Sequence, residues 1–533
     1  MGKTAVCAVH RGSEPALQLE QNVSKKGMTI LDRTQVHARD GLIFPGGSFV
    51  EAVLRPIYDD AKQVLLEPMM AIHRAHLVML TEQGLVERES ARRILAGLNQ
   101  IDLKEVAASS YTGRHEDLFF YVEALLLQLV GEEAGNLHIA RSRNDMGVTM
   151  YRMVLRRQLL GVLSAATELH DTLLRVAEEH ADTVMLAHTH TQPAQPATLG
   201  HYLAAAADLL ARDILRLQQA FAQVNHSPMG GAALGTSGFA ISRERVAELL
   251  GFDGVVENSY DAIAGSDYIS GAASAVELTA LHTGRLVQDL LLWCHQEYGI
   301  LKVADPYVQT SSIMPQKRNP VSLEHSRALL SSVAARAHSV LTMLHNTPFG
   351  DIVDTEDDMQ PHLWAALGIL TRVFTLLSGV VGTMEVNQAR LLEEAKASFA
   401  NVTELADLLV REFGLPFRKA HSVVSAVVRE AGERGIHDVR QLDVTLVEEV
   451  AQRVLGRSLG MQPEQLRQAL DPVHFITVRK VRGGVNPDEV RRMLSERRQR
   501  QQVLEAWLRE TRERLAAAEG LLENACRALE GSA

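Results

Sequence analysis

The chain reads as an all-α protein organised around a bundle of long helices, and three observations predict it. The 533 residues include only 16 prolines, with none between Pro68 and Pro193 or between Pro228 and Pro306. Proline breaks helix interiors, so these spans have room for long helices. Within the first, Leu155, Leu159, Val162, Ala166, Leu169, Leu173 and Val176 recur in steps of four and three. That spacing is the seam of a helix packed against others. Few stretches alternate with period two, which argues against a large sheet.

The elements follow in order. The segment to about Gly27 has no regular pattern. Gly41 to Ser48, GLIFPGGS, is expected to be a loop before a helix containing AIHRAHLVML. After the seam helix, Leu203, Leu210, Ile214, Leu217 and Phe221 mark a second. A third is expected from about Ala262 to Gln296, ending near Gly299. Helical pattern resumes after Pro361 and changes near Phe413-Gly-Leu-Pro416. From about Asp488 the chain is a charged helix. Its arginines alternate with Glu489 and Glu496, which suits a solvated face better than a nucleic-acid stripe. The length allows two to four domains of ordinary size. The seams are longer than a small monomeric core requires, so an oligomer is expected.

Composition narrows the function classes. Lysine and arginine total 54 against 65 acidic residues, a net charge of −11 that argues against a general nucleic-acid-coating role. No uninterrupted apolar run approaches bilayer-spanning length, and the first residues lack the apolar core of a secretion signal. Cys7, Cys294 and Cys526 are too few and too scattered for a disulfide framework, which fits a reducing cytoplasm. His188-x-His190 has no third ligand at useful spacing, so neither a metal nor another cofactor is expected.

Three segments carry chemistry. Gln309-Thr-Ser-Ser-Ile-Met-Pro-Gln-Lys-Arg-Asn-Pro320 has no helical rhythm and collects hydroxyls, a lysine and an amide. Those groups suit a substrate carboxylate, although composition alone equally describes a polar surface loop. The others are His138-Ile-Ala-Arg-Ser-Arg-Asn-Asp145 and Thr189-His-Thr-Gln-Pro-Ala-Gln-Pro196. Alone, His190 reads as a structural histidine and Arg143 as a surface charge.

Together, in this order, the segments resemble the fumarase–aspartase superfamily, and the second and third resemble its argininosuccinate lyases. PMGGAALGTSG, Pro228 to Gly238, and Asn258-Ser-Tyr-Asp-Ala262 add to the likeness. The resemblance implies three mainly helical domains, 1–141, 142–390 and 391–533, a homotetramer with a central bundle, and active sites assembled from three subunits. It implies a small-molecule substrate: fumarate release by β-elimination from an N-substituted L-aspartate. Ser311 matches the catalytic base, and Lys317 and Asn319 match residues that stabilise the dianionic intermediate. His190 matches the acid/base histidine and Glu324 the carboxylate that orients it. Ser142, Arg143, Asn144, Thr189, Gln192 and Ser312 match substrate-binding positions.

The chain also departs from that family. Thr310 replaces a usual glycine, and Phe119 follows Glu116-Asp-Leu118 where a histidine is usual. His73-Arg-Ala-His76 stands where a substrate-contacting serine is typical. In Asp351-Ile-Val-Asp-Thr-Glu-Asp-Asp358, Thr355 replaces a glutamine and Asp358 the lysine that holds the arginine half of argininosuccinate. The aspartate half of the substrate is thus expected to be retained and the amine half altered, as in relatives acting on aminopolycarboxylates. A non-catalytic scaffold on the same fold is the alternative, and the intact Ser311, Lys317, Asn319 and His190 argue against it.

Overall fold

The computed structural model describes residues 32–531, so the expectation for the segment to Gly27 lies outside it. Five long helices pack side by side as the expected bundle: Arg143–Glu179, Leu199–Val224, Asp267–Trp293, Val321–Leu344 and Gln360–Thr383. Every seam residue from Leu155 to Val176 is buried, as are Leu203, Leu210, Ile214, Leu217 and Phe221. The third helix starts later than expected. Ala262 belongs to a separate short helix, Ser259–Ala264, which stops at Gly265. A Cβ there would meet the Asp261 carbonyl oxygen at 2.6 Å, so only glycine allows the close turn between the two helices.

Helix Leu66–Glu82 contains the expected AIHRAHLVML run and is buried along most of its length. Strand structure among the described residues is confined to three two-stranded antiparallel pairs. The longest, Val184–Thr189 with Gln192–Thr198, carries a motif the sequence reading left without a secondary structure. Pro193 and Pro196 mask its strand character. The turn is made by His190 and Thr191, both at positive φ (52° and 63°). Such two-residue turns match strand twist, but their usual signal is Asn-Gly.

By length and composition the stretch Val353–Thr383 is apolar enough to cross a membrane, although Arg372 interrupts it. Its Leu363, Leu367, Leu370, Phe374 and Leu377 are buried in the main core instead.

Residues 405–470 hold a hydrophobic core of their own, whereas the 44-residue last helix, Pro487–Glu530, returns to the main core through Val490, Leu494, Leu508, Leu522 and Leu529. Its arginines are not simply solvated. Arg497 bonds Asp208 at 2.7 Å and Arg498 bonds Asp171 at 2.9 Å, both on bundle helices, and Arg491 pairs with Asp182. Arg492 does face its own helix's Glu489 and Glu496. A small cluster of Val184, Ala395, Phe475 and Ile476 seats the root of the long hairpin.

Candidate functional site

The first group of expected site residues opens the longest bundle helix. Ser142 is its N-cap, and the Ser142 N–H donates to Asp145 Oδ1 at 2.9 Å in a capping box. The other Asp145 oxygen accepts from Gly230 and Ala232 N–H at 2.9 and 3.0 Å. Burial pushes the Asp145 pKa up and these three donors push it back. The helix start is thereby pinned to the glycine-rich Pro228–Gly238 segment. We predict that Asp145→Ala destabilises the fold by about 2–4 kcal/mol, because the cap is lost and buried donors go unpaired. The denaturant midpoint at unchanged m-value measures this.

From this pinned start, Arg143 lies over the Phe120 ring and reaches Glu116 at 3.1 Å and Asp117 at 2.8 Å. The Asn144 amide donates to Asp351, 207 residues away. Two helical turns beyond Asn144, the Tyr151 hydroxyl donates to Asp357 at 2.8 Å. Sequence reasoning passed over Tyr151, yet its spacing of seven from Asn144 puts it on the same helix face.

Behind Ser142, Arg141 is buried and donates to His73 Nδ1 at 2.9 Å, with Phe119 stacked against both. His76 donates from Nε2 to the Ile139 carbonyl at 2.8 Å. Burial first, then the Arg141 charge, keeps both histidines neutral, His76 at about 3. The two departures from the resembled pattern, His73 and Phe119, are therefore partners in one buried cluster.

The acidic stretch lines this group. Asp354 and Asp358 are exposed, and Asp351, Glu356 and Asp357 are half-buried. Burial first, then the charges of Asp351 and Asp357, pushes Glu356 up to about 7. Among the described residues, none of these five acids forms an ion pair.

The second group, Thr189, His190 and Gln192, sits exposed at the hairpin tip. The third is the loop between Gln309–Thr310 and Arg318–Asn319, which pair as short strands. Ser311 Oγ accepts the backbone N–H of Ile313 at 3.3 Å and of Met314 at 3.0 Å. Two donors aimed at a hydroxyl oxygen favour its alkoxide. Ser312 and Lys317 are exposed, Asn319 is half-buried, and the Lys317 ammonium has no partner among the described residues. Glu324 projects, exposed, from the first turn of Val321–Leu344. Among the described residues no hydrogen bond or ion pair joins these three groups within one chain.

Residues 70–335 match the Lyase family and residues 399–477 the argininosuccinate lyase C-terminal family. Argininosuccinate lyase 2 of Agrobacterium fabrum is 42% identical over 457 residues, 84% of this chain and 89% of that one. Argininosuccinate lyase of Methanosarcina barkeri is 36% identical, over 82% of this chain and 88% of that one. An EDDS lyase in complex with formate superposes with a TM-score of 0.82 at 33% identity, covering 89% of this chain and 95% of that one. A fumarate lyase from Mesorhizobium, at 19% identity and a TM-score of 0.66 over 82% and 98% of the two chains, shares the fold.

Proposed function

The chain belongs to the argininosuccinate lyase branch of the fumarase/aspartase superfamily, and on that footing we propose that it is a carbon–nitrogen lyase releasing fumarate from an N-substituted L-aspartate. The Ser311 loop carries this reading. Its hydroxyl oxygen accepts two backbone N–H groups, and Lys317, with no partner among the described residues, lies six residues on. This is what a serine needs to act as a base near neutral pH.

In this mechanism Ser311 takes the proton from the carbon beside a substrate carboxylate. Charge moves onto that carboxylate, where Lys317 and Asn319 stabilise it. Arg143 and Asn144, with Ser142, Thr189, Gln192 and Ser312, hold the aspartate half. His190, oriented by Glu324, belongs to the acid/base machinery. That no hydrogen bond or ion pair joins the three groups within one chain, among the described residues, supports a homotetramer in which each site combines segments of different subunits. A cytoplasmic setting is consistent with Cys294 and Cys526, which are free.

The amine half supports a departure from argininosuccinate. Among the described residues Asp354, Glu356, Asp357 and Asp358 form no ion pair, which weakens the view that they merely serve protein ion pairs. We predict a leaving amine that is cationic at that end or lacks a carboxylate there. A carboxylate placed beside an unpaired aspartate loses roughly a hundredfold in binding. Argininosuccinate should therefore be cleaved about a hundredfold less efficiently than N-succinyl derivatives of simple diamines, and Asp358→Lys should narrow that gap. Equal kcat/KM values, unmoved by the substitution, would show that arginine is held by other residues. The function itself is tested by incubating the protein with fumarate and a panel of amines and weighing the adducts by mass spectrometry. A catalytically silent scaffold yields none.

A further inference from the structure

The Ser311 loop is braced mainly within itself. Its ends pair as strands, Gln309 with Asn319 and Thr310 with Arg318. Between them Ser311 Oγ accepts the Met314 N–H, and the Lys317 N–H donates to the Met314 carbonyl at 3.1 Å. These bonds fix the shape of the loop but not its direction. Among the described residues, Arg318 is the one side chain of 309–319 with a hydrogen bond or ion pair to the rest of the chain. Its Nη2 donates to the Val303 carbonyl at 3.1 Å and meets Asp305 Oδ1 at 2.5 Å. Ile313 and Met314 are exposed, so apolar packing at the tip adds no second hold.

The far side of this tether is firmly seated. Val303 is buried and directly follows Leu301–Lys302, the strand that pairs with Glu385–Val386. Asp305 opens the short helix Asp305–Tyr307, and Tyr307 packs on the main core. It lies against Gly379 of Gln360–Thr383, where a Cβ would meet the Tyr307 ring at 2.8 Å. Side chains alternate along a strand, so Arg318 and Asn319 point to opposite faces. With Arg318 turned toward Val303 and Asp305, Asn319 is turned away from them.

We propose that Arg318 is a positioning residue: by tying the return strand to Val303 and Asp305, it sets where Lys317 and Asn319 stand relative to the substrate carboxylate. This rests on the lyase reading above, in which those two residues stabilise the dianionic intermediate. Arg318 itself touches no substrate. Groups that stabilise charge developing in the transition state work by being in place beforehand, and a donor that must first swing into position loses that gain. A displacement of about 1 Å costs roughly a hundredfold in rate. The ion pair with Asp305 is exposed and contributes little to folding stability, so the tether acts on rate rather than on folding.

The test uses the intact protein and the N-succinyl derivative of an aliphatic diamine. Arg318→Ala should lower kcat by about thirtyfold to a hundredfold, with KM and fumarate affinity by calorimetry changed less than about threefold. The melting temperature should stay unaltered. Arg318→Lys keeps the charge but not the planar fork, and should recover part of the loss. Asp305→Ala removes one of two partners and should lower kcat by about threefold to tenfold; added to Arg318→Ala it should cost less than about twofold more, because both act through one tether. If Arg318→Ala melts early, Arg318→Lys and Asp305→Ala carry the same comparison of kcat with KM. A kcat within about twofold of wild type in Arg318→Ala, a loss carried by KM alone, or additive losses in the double variant overturns the assignment and leaves the lyase reading intact. If wild-type protein releases fumarate from no N-succinyl amine, the lyase reading fails and the assignment falls with it.

Discussion

Ser311→Ala should lower kcat for fumarate release by about a thousandfold or more, the scale expected when a general base is removed. The affinity for fumarate should change little. The distinction follows from the geometry. The hydroxyl oxygen of Ser311 accepts N–H bonds from Ile313 and Met314, the arrangement proposed to favour its alkoxide. The carboxylates of the substrate are assigned to other groups: Arg143, Asn144 and Thr189. An interaction made only in the transition state lowers kcat and kcat/KM together, whereas lost ground-state binding raises KM. Fumarate affinity by calorimetry, with single-turnover kinetics, separates the two. A variant that keeps more than a few per cent of wild-type turnover would remove Ser311 from the role of base. Ser311 is only half-buried on a surface loop, so the change should leave the melting temperature unaltered.

The second large effect concerns assembly. Ser311→Ala and His190→Ala should each be inactive as pure homotetramers. Mixed after reversible dissociation, they should recover activity. With equal, random mixing, a site that takes its serine and its histidine from different chains has both native residues in about one case in four. About a quarter of wild-type turnover is thus the expected ceiling. The structure motivates this, because the hairpin tip with His190 and the loop with Ser311 are exposed and share no hydrogen bond in one chain. Verified mixed tetramers without recovery would place both residues in a site built by one chain. A monomer by light scattering would remove the shared site altogether.

Sequence alone determined the bundle and the motifs. Helical seams depend on spacing along the chain, and Leu155 to Val176 declare their buried face without reference to any other segment. The Ser311 loop was equally legible, since prolines and small polar residues exclude a helix locally. Reading failed where two distant segments decide the outcome. The His190–Thr191 turn has no glycine or asparagine to announce it, and strand pairing with the opposite arm holds its positive φ values. The arginines near Asp488 looked solvated because their partners, Asp171, Asp182 and Asp208, lie about 300 residues earlier in the chain. Phe119 and His73 read as two unrelated departures until burial against Arg141 joined them. The raised pKa of Glu356 has the same origin. Its cause is desolvation and neighbouring charge, and both exist only once the chain has folded the acidic stretch against the start of the longest bundle helix.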